Sequence, residues 1–257
     1  MREIGLLGLR LTPMTGERLL ERIAESVGLR RKTLIMHHNL HSVYLHGRDA
    51  RLRRCHRRSD ITYIDGMPLV GLARLYGHRA TRAERSTALD WAPQLFRMAA
   101  ERQWRIAFLG GTPETGEQAA ALLRRRFPGL HLTTRPGYFD MRHNGPENRA
   151  VVEHINRESP DILLVGMGMP RQEYWAGDNL DALDARVVIT VGALMDYYAG
   201  TIPTPPRWLG RIGLEWLYRL ACEPRRLAFR YLIEPWFVLA ALMRDLIRRP
   251  RKGDGDS

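Results

Sequence analysis

Four consecutive branched apolar residues, Ile162-Leu163-Leu164-Val165, run directly into Gly166-Met167-Gly168-Met169-Pro170 and constrain the fold more than any other stretch. A strand without apolar–polar alternation needs cover on both faces, which is the setting of a parallel sheet clad by helices. The glycines allow a ligand or a neighbouring backbone to come close at the strand's carboxyl end. Pro170 is placed to begin a helix, whose N–H groups can receive an anion. Arg171, Gln172 and Glu173 set a cation, an amide and a carboxylate beside that point. The residues fit a tight structural turn equally well. The same pattern recurs along the chain. Short apolar runs at 33–36, 61–64, 105–109, 130–134 and 186–191 alternate with amphipathic stretches, and an amphipathic helix is expected over 15–27. This predicts an α/β fold, a mainly parallel Rossmann-like sheet with helices on both faces.

The polar residues that follow these strands are the candidates for chemistry. The second run ends in Asp65-Gly66, and a carboxylate at the end of a buried strand is well placed for a general base, although Asp-Gly also makes an ordinary turn. The first ends in His37-His38-Asn39-Leu40-His41, with one helix expected from there to about residue 56. Three histidines in five residues raise the question of a metal. No carboxylate or cysteine joins them at ligand spacing, so no metal is expected. Gly110-Gly111-Thr112 resembles a phosphate-binding loop but is neither GxGxxG nor a Walker sequence. That absence, with no acidic ribose ligand at the expected spacing, argues against a nucleotide-dependent oxidoreductase and leaves no cofactor expected.

The formal net charge of +12, most of it arginine, points to a polyanionic partner or an anionic surface. Cys55 and Cys222 form no motif and fit a reducing compartment. The first residues lack the apolar core of a signal peptide, and no run is long enough to span a membrane. At Pro203, Pro205 and Pro206 the pattern changes. Residues 203–252 carry 11 Arg plus Lys against 4 Asp plus Glu. Trp208, Trp216, Phe229, Trp236 and Phe237 interleave with leucines and arginines, as in a basic amphipathic segment lying on an anionic membrane. The expected organisation is a core over 1–202, a membrane-associating helical appendage over 203–252 and a disordered tail over 253–257. A helical pair packed on the sheet with solvated arginines is the alternative for the appendage.

Three motifs stand in order: Asp65-Gly66, then Gly166-Met167-Gly168-Met169-Pro170-Arg171-Gln172-Glu173, then Gly213-Leu214-Glu215-Trp216-Leu217-Tyr218-Arg219-Leu220 with Glu223-Pro224-Arg225-Arg226. Together they resemble the WecG/TagA/CpsF family of bacterial glycosyltransferases, over about residues 30–230. The resemblance implies inverting transfer of a hexose or N-acetylhexosamine from a UDP-sugar to a polyprenyl-diphosphate-linked saccharide. Such an enzyme, serving teichoic acid-like or exopolysaccharide synthesis, would sit peripherally on the cytoplasmic face of the plasma membrane. It implies Asp65 as catalytic base. It implies substrate contacts from His37, Asn39, Arg85, Gly110, Gly168, Gln172, Glu173, Arg219, Arg225 and Arg226, with Gln172 in the donor region and the appendage arginines on the diphosphate. No DxD-type motif is present, and arginine can fill the cation role, so the transfer is expected to be metal-independent. The chain departs from the family at His37, where threonine is usual, at Thr204-Pro205-Pro206 and at Ala88. The His37 change, near the presumed sugar site, leaves the donor open between UDP-N-acetylmannosamine, UDP-glucose and another UDP-hexose. The alternative class is a nucleic-acid-binding protein with a non-catalytic core. The appendage shows no known nucleic-acid motif, so no nucleic acid is expected as partner. Homo-oligomer formation stays open.

Overall fold

The computed structural model describes residues 2–248; the expected tail over 253–257 lies outside the described residues. Six strands form one parallel sheet: β3 (Thr33–His38), β4 (Ile61–Ile64), β5 (Arg105–Gly110), β6 (His131–Arg135), β7 (Ile162–Gly166) and β8 (Val187–Thr190). Their spatial order is β4-β3-β8-β7-β5-β6, with every pairing parallel. The α/β reading of the sequence is therefore borne out. The chain builds β3 and β4 at one edge, crosses to β5 and β6 at the other, and returns to insert β7 and β8 between them. In such sheets ligands bind beyond the carboxyl ends, where the strand order reverses.

The apolar runs alternate between two cores. Ile35, Ile162, Leu164 and Ile189 join the helices Gly16–Gly28, Ala88–Glu101 and Pro113–Arg126 on one face. Leu34, Met36, Leu163, Val165 and Val188 join Pro146–Arg157 and Arg171–Asn179 on the other. All five residues of β7 are buried, which is why its sequence shows no polar alternation.

Two local features differ from the sequence reading. A hairpin of β1 (Ile4–Leu6) and β2 (Leu9–Leu11) precedes the first helix. The single helix expected after Asn39 is two, Leu40–His46 and Ala50–Arg58, because the Asp49 carboxylate caps the second by accepting the Leu52 amide at 2.9 Å.

The described residues after Pro203 form four helices, Arg207–Ile212, Glu215–Cys222, Pro224–Ala228 and Glu234–Arg248, with a π-helical turn at Phe229–Ile233. They fold back on the β3–β4 edge. Val238 and Leu242 enter the cluster of Leu9, Leu11, Val43, Leu69 and Val70. Glu234 meets His41 at 2.7 Å, and the Tyr76 hydroxyl donates to Asp245 at 2.6 Å. A broad apolar face stays uncovered, with Trp208, Leu217, Phe229, Trp236, Met243 and Ile247 exposed. No helix among the described residues is long and apolar enough to cross a membrane.

Candidate active site

Strand register decides which residues meet. His37 pairs with Tyr63 and His38 with Ile64, so β3 and β4 end together and place Asn39 beside Asp65. The Asp65 amide donates to the His38 carbonyl at 2.8 Å, which fixes that loop. Gly110 pairs with Gly166 and Val165 with Thr190, bringing Gly111, Met167, Gly168 and Gly192 to the same end of the sheet. A Cβ at Gly110 would overlap the Gly166 carbonyl, and one at Gly137 would overlap the Gly110 backbone. These glycines let three backbones converge into a floor.

Above the floor lies a cavity of about 340 Å³. His37, Asn39, Asp65, Gly168 and Gln172 line it, together with Arg219 and Arg226 from the appendage. A second cavity of about 360 Å³ adjoins it under the appendage, with Leu40, Met67, Pro68, Trp216, Tyr231 and Pro235 in its wall. Six residues line both: Asn39, Asp65, Thr87, Glu215, Arg219 and Arg230. Asp65 therefore stands where a polar cavity and a more apolar one meet. Its side chain is 29% exposed, and its Oδ2 faces His37 Nε2 at 3.8 Å.

The other expected site residues have definite places. Asn39 caps the helix Leu40–His46, its Oδ1 accepting the Ser42 amide at 3.0 Å. Gln172 is buried; its Oε1 accepts the Gly192 amide at 3.0 Å and its Nε2 donates to Glu173 at 2.7 Å. It thus pins the turn that forms part of the floor. Glu173 is wholly enclosed beneath that floor and is not among the cavity-lining residues, and burial raises its carboxyl above the ordinary range. Gly110 likewise lies behind the lining, which Gly111 supplies.

Arg85 has two partners, Asp90 at 2.8 Å and Glu215 at 3.0 Å, and lines only the second cavity. It ties the segment before the helix Ala88–Glu101 to the appendage, and Gly210 leaves room for its guanidinium. Arg225 is exposed and absent from both cavity walls, because the next helical position, Arg226, turns toward the site.

Arg230 escaped the sequence reading, yet it lines both cavities with Arg219. Burial lowers the Arg230 guanidinium from its ordinary value, and Arg219 lowers it further. Two guanidiniums held together around a cavity are relieved by an anion between them. The available signal was the spacing of Arg226 and Arg230, one helical turn apart. Tyr138 was also missed: at 75% exposure, it offers a flat ring at the rim beside Gly111 and Gly137.

Rings of His38, His46 and His56 cluster behind β3, with His38 and His56 centroids 4.2 Å apart. Among the described residues, no group of three or more His, Cys, Asp or Glu side chains is arranged to hold a metal ion.

The chain is 28% identical over 145 residues to the N-acetylglucosaminyldiphosphoundecaprenol N-acetyl-beta-D-mannosaminyltransferase of Staphylococcus aureus strain MRSA252, covering 56% of this chain and 55% of that protein. The equivalent protein of strain NCTC 8325 / PS 47 matches with the same identity and coverage. The chain thus spans about half the length of the curated relatives it matches. The model of the glycosyl transferase WecG/TagA/CpsF family matches residues 4–252, nearly the whole sequence, and the protein belongs to that family.

Proposed function

We propose that the protein is an inverting UDP-sugar transferase acting on a polyprenyl-diphosphate-linked saccharide, with Asp65 as general base. The observation that carries this is the position of Asp65, at the junction of two cavities and facing Arg219 and Arg230 in both walls. Glu215, the other carboxylate common to both, is engaged by Arg85. An inverting displacement needs a base for the acceptor hydroxyl and positive charge for the leaving diphosphate. The donor occupies the glycine-floored cavity, with its base against Tyr138 and its diphosphate near Arg219, Arg226 and Arg230. The acceptor enters through the more apolar cavity, where Trp216 and Tyr231 offer faces to a sugar and the first prenyl units. Arginine carries the charge, and the transfer is metal-independent. The relatives' printed names make N-acetylmannosamine the first donor sugar to test and N-acetylglucosamine on diphosphoundecaprenol the first acceptor.

The uncovered apolar face of the appendage is the docking surface for an anionic bilayer. Trp208, Trp236 and Ile247 insert at the interface, and the arginines meet lipid headgroups. This puts the second cavity beside the leaflet that holds the lipid acceptor.

The test is a UDP-release assay with a short-prenyl diphosphate-N-acetylglucosamine acceptor. UDP-N-acetylmannosamine, UDP-N-acetylglucosamine and UDP-glucose are compared as donors. Acceptor-dependent release from at least one of them supports the reading. Release from none, with tight salt-sensitive binding to duplex DNA, would replace it with the nucleic-acid alternative.

A further inference from the structure

The wall that holds Asp65 holds a second proton-carrying group, His37. Its side chain is 8% exposed, so its contacts are few and fixed. Nδ1 lies 3.2 Å from the Thr190 carbonyl oxygen and 3.4 Å from the Thr190 hydroxyl. A carbonyl oxygen only accepts, so the shorter contact requires hydrogen on Nδ1. The neutral ring then carries its lone pair on Nε2, which faces Asp65 Oδ2 at 3.8 Å. A lone pair opposite a carboxylate is unfavourable until a proton lies between them.

From this geometry we infer that His37 Nε2 receives the proton that Asp65 removes from the acceptor hydroxyl, an inference that rests on Asp65 being the base. In the step, the acceptor oxygen bonds to the anomeric carbon as its O–H bond breaks. The bond from that carbon to the UDP oxygen breaks, and its electron pair leaves with UDP. The proton passes to Asp65 and on to Nε2. The imidazolium and the regenerated carboxylate then face each other as an ion pair, and His37 loses the proton to solvent once products leave. Asp65 is thereby restored as an anion while the diphosphate is still bound. His37 acts through Asp65 and is a positioning residue for its proton.

The groups around the pair support the assignment. Tyr63 packs its ring 5.6 Å from that of His37, and Thr190 of β8 fixes Nδ1. Glu173 lies on the helix beneath, close enough for its carboxyl to interact with His37. His38 and His56 lie behind β3 and are kept neutral by burial. Arg219 and Arg230 line the same cavity as Asp65, within range of its charge.

The test has two arms. In the first, ¹⁵N-histidine-labelled full-length protein is titrated by NMR, with His37→Gln identifying the His37 signals. The expected result is a neutral ring with hydrogen on Nδ1 and a bare Nε2. Asp65→Asn, which removes the facing anion, should lower the titration midpoint by about one pH unit. A neutral ring with hydrogen on Nε2, or a midpoint that Asp65→Asn leaves in place, overturns the inference; this arm needs no donor. The second arm follows the acid limb of kcat/KM with the three UDP-sugars run in parallel. His37→Gln should move the wild-type limb to lower pH, because an imidazole no longer has to be neutral for the step. That variant should lose about tenfold or more in kcat, with donor KM within about twofold. An unmoved limb overturns the inference. Full activity of Asp65→Asn would instead refute the assignment of the base, which keeps the two failures apart.

Discussion

Replacing Glu173 with glutamine should stabilise the protein at neutral and alkaline pH, although the residue belongs to the most recognisable motif of the chain. Its side chain is fully enclosed; Oε1 accepts the Gln172 amide, and Oε2 has no hydrogen-bond partner among the described residues. Burial raises the carboxyl above its ordinary 4.5, and the Gln172 hydrogen bond pulls it back only in part. A carboxyl whose folded pKa exceeds its unfolded value binds a proton more tightly when folded. Its contribution is greatest below the unfolded value and is lost as pH rises through the folded one. Glutamine keeps the shape and an acceptor for Gln172 but removes the charge. An unsatisfied buried polar group costs about 1–3 kcal/mol, more when charged. A gain of about 2 kcal/mol corresponds to a rise of about 4–8 °C in Tm for a chain of this size. Calorimetry of both proteins between about pH 4.5 and 8.5 should show the gain at the alkaline end, shrinking toward the acid end. A variant less stable at alkaline pH, or a gain independent of pH, would refute the reasoning.

Further outcomes follow from other contacts. The buried histidine cluster stays neutral in the folded state: burial holds His46 at about 4 and His56 at about 3, and lowers His38 as well. Because these folded values lie below the unfolded one, stability is full above about pH 6.5 and falls as pH drops below it; His56→Phe should flatten that loss in acid unfolding curves. Arg85→Ala removes the shared partner of Asp90 and Glu215 and should cost about 1–3 kcal/mol. It should also speed proteolysis near residues 203–215 and lower turnover, because Arg219 loses its anchored helix. Trp236→Glu with Ile247→Glu should abolish sedimentation with anionic liposomes and leave turnover of a short-chain acceptor within about twofold.

The sheet was legible because its strands are buried on both faces. Runs such as Ile162 to Val165 carry no polar positions, and few other settings accept such runs. The β1–β2 hairpin escaped because each strand has three residues, too few for a period to show. The break after His46 was written in Gly47 and Asp49, but capping is decided by which carboxylate finds a free amide. At the site, Asp65, Asn39 and His37 could be read as polar residues ending strands. Arg85 and Glu215 are 130 positions apart, and only the folded appendage brings them together. Glu173 looks in sequence like a ligand contact, and its enclosure is a tertiary property. Arg230 was hidden among many arginines, since composition gives their number and not the face they occupy.

The most direct measurement compares wild-type protein and Asp65→Asn in acceptor-dependent UDP release, with UDP affinity measured by calorimetry on both. Asp65 lines the donor cavity without being assigned to the diphosphate, so the expected result is UDP affinity within about threefold and turnover lower by about 10²–10⁴-fold. Turnover near the wild-type rate, with UDP binding intact, would contradict Asp65 as the base.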